Sequence, residues 1–392
     1  MTQRQFKTGY FVLEGLNSFS TTFYFYYFYF FMQARFGYGN KANLVLAALN
    51  GLLYMFAAWW GGRFAQRAGY FTALKLGFSI MIGALALGLF LDSAAGQITV
   101  MLATAIGMCF TWPTLEALVS EGESPAGLQR MLGIYNIGWA GTGALAYFVG
   151  GAVLDRLGLQ SQYFVPLAIL VMQLGLTCWL GAQVRAHPAP SPAVEMPGPM
   201  EMNPRPIART RGFLRMAWLA NPFAYIAINT LVAVMPGIAQ RLGLSTTTAG
   251  FCCSLWCFAR LGAFFGLWFW PGWHYRFRWL LAAYLTLIAT FVVILTVPNL
   301  VVIVLAQLVF GVAIGLIYYS SLFYSMDVGE TKGEHGGIHE AAIGLGNFVG
   351  PAVGAASLHF LPQYANSGAV AVSVVLLGGL GALLGIWRTT KT

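Results

Sequence analysis

Twelve long apolar runs constrain this chain more than any other feature. They lie near residues 8–34, 43–65, 72–91, 97–119, 131–154, 162–183, 213–238, 246–270, 279–297, 299–325, 336–360 and 367–387. Each is long enough to cross a bilayer, which takes ~20 residues in a helix. With 58% hydrophobic and 8% charged residues, the chain is far from a water-exposed globule, whose charged fraction is ~25%. The fold class expected is therefore an all-α integral membrane protein. The opening MTQRQFKTGYF leads into a run too long for a signal-peptide core and shows no A-x-A site, so the N-terminus is expected to be retained. The cysteines at 109, 178, 252, 253 and 257 all fall inside apolar runs and read as small hydrophobes.

The charges fix an expected orientation. With the N-terminus cytoplasmic, sixteen of the 21 Lys and Arg fall inside, and only Arg35, Lys41, Arg156 and Arg241 fall outside; Arg260 lies within a run. The positive-inside bias thus explains the net charge of +9 without a nucleic-acid partner. The expected setting is the inner membrane of a bacterium, with both termini cytoplasmic and a monomer in the lipid bilayer. The sixth and seventh runs are separated by RAHPAPSPAVEMPGPMEMNPRPIARTRG, whose prolines and polarity read as a flexible cytoplasmic linker. The organisation expected is a six-helix bundle over 1–184, a linker over 185–212 and a second six-helix bundle over 213–392.

The two halves carry a repeat. GIHEAAIGLGNFVGPAVGA, 337–355, is an apolar segment punctuated by Gly337, Gly346, Gly350 and Gly354, a ladder suited to close helix packing. Shifted back by 204 residues it returns as GIYNIGWAGTGALAYFVGG, with Gly133 on Gly337, Gly150 on Gly354 and Asn136 on Glu340; the same shift sets Gly62 on Gly266. A finer echo links GGRFAQRAG, 61–69, with GGAVLDRLG, 150–158, on runs of opposite direction.

On these residues the chain resembles the major facilitator superfamily over essentially its whole length. The loop after the second run is similar to the family's G-x-x-x-D-R-x-G motif at Gly62, Arg67 and Gly69, with Gln66 where the family has Asp. The ladder is similar to the family's G-x8-G-x3-G-P-x2-G-G motif at Gly337, Gly346, Gly350, Pro351 and Gly354. In the family that motif marks antiporters when it sits in span five, and here the span-five copy has Thr142, Ala146 and Tyr147 at three of its positions. The resemblance implies two bundles related by an axis along the membrane normal, with a substrate site between them.

Ionisable side chains at mid-membrane cost at least ~2.5–3.5 kcal/mol, so the few present mark the candidate cavity. Glu14 shares a helical face with Asn17, Ser18 and Thr21, a stripe that reads either as a protonatable cavity wall or as helix-to-helix glue. Arg260 has Trp256 one turn before it; it needs Glu14, Glu340, an aromatic face or a substrate anion as partner. In EHGGIHE, His335, His339 and Glu340 supply a titrating cluster, while two histidines without a third ligand make a metal site improbable. Asn136, by its repeat partner Glu340, and Asn347, inside the ladder, are further polar candidates. Glu116 reads equally as a helix-end anchor.

Two aromatic segments complete the set. FYFYYFYFF, 23–31, covers every face of a helix, so an aromatic belt partly in lipid is expected, with Tyr24 or Tyr27 reaching the cavity. GLIYYSSLFYSMD offers Tyr318, Tyr319, Ser321 and Tyr324 as a hydroxyl-rich surface for a small organic ligand. No P-loop or catalytic triad is present, so neither ATP-driven pumping nor enzymatic catalysis is expected, and no cofactor. The function expected is secondary transport of a small organic solute by alternating access with proton coupling, symport or antiport, leaning to an organic anion. A drug exporter or sugar carrier is the nearer alternative, and a membrane-embedded metal enzyme on His335, His339 and Glu340 the distant one.

Overall fold

The computed structural model describes residues 3–123, 125–186, 207–327 and 334–391. Of the expected linker, residues 187–206 lie outside the described residues. Lipid offers no hydrogen bonds, so a spanning backbone must satisfy itself, and the described residues are helical almost throughout, with no strand among them. The elements are α1 (Gln3–Phe36), α2 (Asn40–Ala68), α3 (Tyr70–Gly88), α4 (Ala94–Ser120), α5 (Pro125–Leu157), α6 (Ser161–Ala186), α7 (Ile207–Arg241), α8 (Thr246–Cys253), α9 (Leu255–Phe269), α10 (Phe277–Thr296), α11 (Leu300–Asp327), α12 (Glu334–Phe360) and α13 (Ser367–Lys391).

Where the chain must reverse tightly, glycine supplies the left-handed backbone. Gly69, at φ +91°, joins α2 to α3, and Gly158, at φ +82°, follows α5. These are the closing glycines of the two echoed segments, so the echo coincides with a shared turn. Ser93 and Ser245 cap α4 and α8 by accepting from the Gly96 and Thr248 amides, each at 3.1 Å.

Two expectations change. The run 246–270 is one span, Thr246–Phe269, but its helix breaks at Ser254. The Ser254 hydroxyl donates to the Phe251 carbonyl at 3.1 Å, competing with the helical ladder at that point. The aromatic run 23–31 does not form a lipid-facing belt, because every one of its nine side chains is buried or half-buried. The reason is the position of α1, which packs against α4, α5, α6 and α7 at the centre of the molecule. Among the described residues eleven helices are long and apolar enough to cross a membrane. α1 is not one of them, since a helix walled by protein on most sides can carry tyrosines and a polar stripe that lipid would reject.

Helices α1–α6 pack together as one bundle and α7–α13 as a second. Two seams join them, α2 with α12 and α5 with α8 and α9, in matching positions of the two halves. Both termini lie on one face, since Trp387 stacks on Phe277 and meets Phe213 near the start of α7, while α1 and α7 run side by side to Gln33 and Gln240 at the opposite face.

Candidate functional site

The seams are narrow because glycine makes them so. A Cβ on Gly51 of α2 would run into the backbone of Asn347 and Phe348 on α12, and one on Gly344 of α12 would meet Met55 of α2 at 2.6 Å. On its other side, α12 turns the ladder toward α7. Gly346 faces the Pro222 carbonyl and Gly350 the Ile226 carbonyl, while Gly354 faces Leu44 of α2. Pro351 is buried in the same helix. The ladder is thus the surface by which α12 wedges between α2 and α7; the side-chain face at Gly337 lies outside the described residues. Gly62 is buried, Arg67 is exposed near the end of α2, and Gly69 ends that helix.

At the face away from the termini the bundles are tied by polar contacts. The Gln33 amide donates to Gln240 at 3.0 Å, and the Thr247 backbone N–H and hydroxyl donate to one Asp155 oxygen at 2.8 and 2.6 Å. Below this closure lies a central cavity of about 160 Å³. A void of ~150 Å³ accommodates one aromatic ring.

One pole of the cavity is cationic. Arg260 of α9 is buried, and its guanidinium carbon lies 4.5 Å from the centroid of Trp139 and 5.0 Å from that of Trp256. Trp139 belongs to the first bundle and Trp256 to the second, so the cation is held between aromatic faces across the interface. Its Nε has no hydrogen-bond partner, and among the described residues no carboxylate forms an ion pair with it. Tyr26 of α1 stacks on Trp256 at 6.2 Å, and Tyr318 of α11 meets Trp139 at 5.4 Å.

The other pole is acidic. Glu340 of α12 lines the cavity and accepts a 2.6 Å hydrogen bond from the Tyr54 hydroxyl of α2, a direct link between bundles. Glu116 and Tyr135 line the same wall. A patch of amides completes the cavity. Asn229 of α7 donates to Asn347 of α12, and Asn50 of α2 presents a buried Oδ1 without a partner.

The sequence-derived candidates separate into two groups. Arg260, Glu340 and Asn347 line the cavity, as do Ser18 and Thr21 of the α1 stripe, and Trp256 braces Arg260 from behind. Glu14 and Asn17 are buried one layer back, the Glu14 carboxylate facing the Tyr135 hydroxyl and the Asn17 amide without a hydrogen-bond partner. Asn136 also sits behind the wall and not on it, its Oδ1 accepting the Trp139 indole N–H at 2.9 Å. Tyr24 turns away from the cavity into the first bundle and Tyr27 into the seam of α5 with α8, its hydroxyl donating to the Tyr147 carbonyl at 2.5 Å and lying against Gly250; Phe25, Tyr26 and Tyr29 line the cavity in their place. Helical rotation accounts for the change, since the run covers all faces and packing selects which one is central.

Tyr319 and Tyr324 likewise leave the site. Tyr319 packs on Phe264 and Trp273, and Tyr324 accepts the Tyr275 amide at 3.0 Å in an aromatic cluster near the terminal face; Tyr318 takes the cavity position. His339 packs 5.9 Å from Tyr318 with its Nε2 unpartnered, and the side chain of His335 lies outside the described residues. Among the described residues no group of three His, Cys, Asp or Glu could hold a metal.

Sequence reasoning missed Trp139, Tyr54, Asn50, Asn229 and Trp112. A signal for two of them existed, because Asn50 and Tyr54 stand at i, i+4 in an otherwise apolar run. Trp139 offered none, being one aromatic among many.

A sequence model of the Major Facilitator Superfamily matches residues 98–351. Among solved structures, the crystal structure of the human organic anion transporter MFSD10 (TETRAN) is similar at 14% identity over 98% of this chain and 99% of that one, with a TM-score of 0.66. The crystal structure of the nucleoside transporter NupG is similar at 13% identity over 98% of each chain, with a TM-score of 0.65, and a point mutant of NupG at 12% identity has a TM-score of 0.68. At these identities the likeness shows the fold. No sequence among curated proteins matches the chain.

Proposed function

Because the chain belongs to the major facilitator superfamily, whose members carry solutes across membranes and are not enzymes, we propose that it transports a small organic anion by alternating access coupled to protons. One observation carries this reading: a buried arginine on the cavity wall with which no carboxylate among the described residues forms an ion pair. A permanently charged guanidinium in a water-poor site is stabilised by an anion that accepts its planar fork, and the two tryptophans hold the fork in place. The acidic pole supports the proton part. Glu340, Glu116 and, behind them, Glu14 supply carboxylates that can gain and lose protons within electrostatic range of one another. The matching seams supply the motion, each bundle rocking on its glycine contacts.

The test is a thermal-stabilisation screen of the purified protein against organic acids, amino acids, sugars and lipophilic cations, since a ligand of the folded state raises Tm. Organic acids raise Tm in the parent and lose the effect in Arg260→Lys, where a point charge replaces the fork. Stabilisation by sugars or cations that is indifferent to Arg260 refutes the anion reading.

A further inference from the structure

Behind α1, away from the cavity, the first bundle contains a column of buried polar side chains that the transport site does not use. Glu14, Asn17, Ser20 and Tyr24 follow one another at i, i+3, i+6 and i+10 along α1, and all are at most 1% exposed. Ten residues of helix span ~15 Å, about half of a bilayer's hydrocarbon thickness. From α6, Gln173 joins the column by donating to the Ser20 hydroxyl at 3.3 Å. Toward the face away from the termini, Gln162 donates to the Tyr24 carbonyl, and the Tyr163 hydroxyl donates to Gln97. The Gln97 amide in turn donates to the carbonyls of Gly88, at 3.0 Å, and of Leu91 in the exposed loop between α3 and α4.

Along this column the protein leaves polar atoms unmatched. Both side-chain polar atoms of Asn17 and the Gln173 and Gln162 carbonyl oxygens are buried without a protein partner, while the Glu14 carboxylate and the Tyr24 hydroxyl each face one hydroxyl, Tyr135 and Thr104, without a well-formed hydrogen bond to it. A stray unmatched atom is a local defect. A file of them from Gln162 to a carboxylate, separated from an exposed loop only by the hydrogen-bonded pair Gln97 and Tyr163, is a built feature, because each atom would otherwise be buried at a penalty. Such atoms match the needs of water, which takes two to four polar partners, and this column offers both donors and acceptors.

We propose that the first bundle holds a file of water molecules from Gln162, behind the loop at Leu91, to Glu14, forming a proton path separate from the substrate cavity. Glu14 is then the junction. On its far side stands Tyr135, which lines the cavity, with Glu116 and Glu340 beyond it. A proton arriving along the file protonates Glu14 and is passed by way of the Tyr135 hydroxyl to the acidic pole, without crossing the volume that the solute occupies. This assignment of purpose rests on the proton-coupled reading above; the presence of water does not.

Radiolytic hydroxyl labelling of the full-length protein tests the file without any substrate, because water fixed beside a buried side chain oxidises it during the X-ray pulse. Tyr24 is expected to be labelled at a rate near that of exposed Tyr364. Tyr284, equally buried but with its hydroxyl donated to the Leu376 carbonyl at 3.1 Å, is the dry control. In Gln173→Leu the labelling of Tyr24 falls several-fold. Tyr24 as inert as Tyr284 overturns the file, and a Gln173→Leu protein with a raised Tm confirms that outcome, since removing a dry unmatched amide relieves the fold. Once the screen has supplied an anion, Gln173→Leu is expected to retain anion exchange across proteoliposomes and to lose most of the accompanying proton movement. Unaltered proton movement overturns the path even where the column is wet. A screen that finds no anion sinks the anion reading and leaves the labelling result standing.

Discussion

Tyr54→Phe removes one hydroxyl and keeps the ring, so it isolates the hydrogen bond that ties α2 to Glu340 of α12. That bond is 2.6 Å long and buried at the seam, and it exists only while the two helices are together. A hydrogen bond to a charged acceptor contributes ~1.5–3 kcal/mol net. Its loss falls on the conformation described here and not on one in which the seam has parted. The ratio of parted to joined molecules should therefore rise about 10- to 150-fold, at about 1.4 kcal/mol per factor of ten. Glu340→Gln keeps an acceptor for Tyr54 but removes the charge, so its effect should be smaller, ~1–1.5 kcal/mol, the difference between a charged and a neutral bond. The double variant should shift the balance no further than Tyr54→Phe alone, because both act through one bond. Spin labels on cysteines at exposed Gln160 and Pro298, in a background without the native cysteines, report the separation of the bundles at the face away from the termini by pulsed electron resonance. A distance distribution unchanged by Tyr54→Phe in a folded protein refutes the role given to this bond.

Other consequences are checked more simply. Gly51→Ala puts a methyl group against the Asn347 and Phe348 backbone and should cost ~1–3 kcal/mol of stability by overpacking the seam, whereas Gly83→Ala, which meets nothing, should show no loss; thermal denaturation in detergent compares them. Asp155→Ala removes the acceptor of two Thr247 donors in an exposed position, so it should open the same spin-label pair by less than ~1.5 kcal/mol, and an opening larger than that of Tyr54→Phe would invert the ranking of the two contacts. Glu14→Gln keeps the shape of the side chain and loses its titration, so substrate-driven pH change in proteoliposomes should vanish while the protein still folds; undiminished proton movement makes Glu14 structural.

The all-helical membrane fold and the packing use of the α12 ladder were legible because each follows from local pattern: runs of bilayer length, and glycines at helical spacing. The polar candidates were legible as types, since an arginine or glutamate in an apolar run stands out wherever it points. What the pattern could not supply was rotation. Tyr24, Tyr26, Tyr27 and Tyr29 are interchangeable in an all-aromatic run, and only packing of α1 among four neighbours turned Tyr26 and Tyr29 to the cavity. The same holds for Tyr318 against Tyr319, adjacent in sequence and 100° apart on a helix. Asn136 shows the limit of the repeat. It matches Glu340 in sequence, but Trp139 one turn on occupies the cavity wall and takes the asparagine as its own hydrogen-bond partner.

The two poles of the cavity give the proposed cycle its coupling. An empty carrier has to reorient with Arg260 buried, and an uncompensated charge in a low-dielectric site is expensive to keep there. Two tryptophan faces supply part of the compensation, and ~2 kcal/mol for a desolvated cation–π contact falls well short of a full ion pair's Coulomb energy in such a site. With a bound anion on Arg260, the charge is met from the solute, and the Glu340 carboxylate is free to hold Tyr54 across the seam. Without the anion, a Glu340 carboxylate that turned to Arg260 would have to leave Tyr54, which gives up the bond that joins α2 to α12. Occupancy of the cationic pole and closure of the seam are therefore linked through one carboxylate. Protonation of that carboxylate acts on both at once, since the neutral acid neither neutralises the arginine nor binds the tyrosine as tightly.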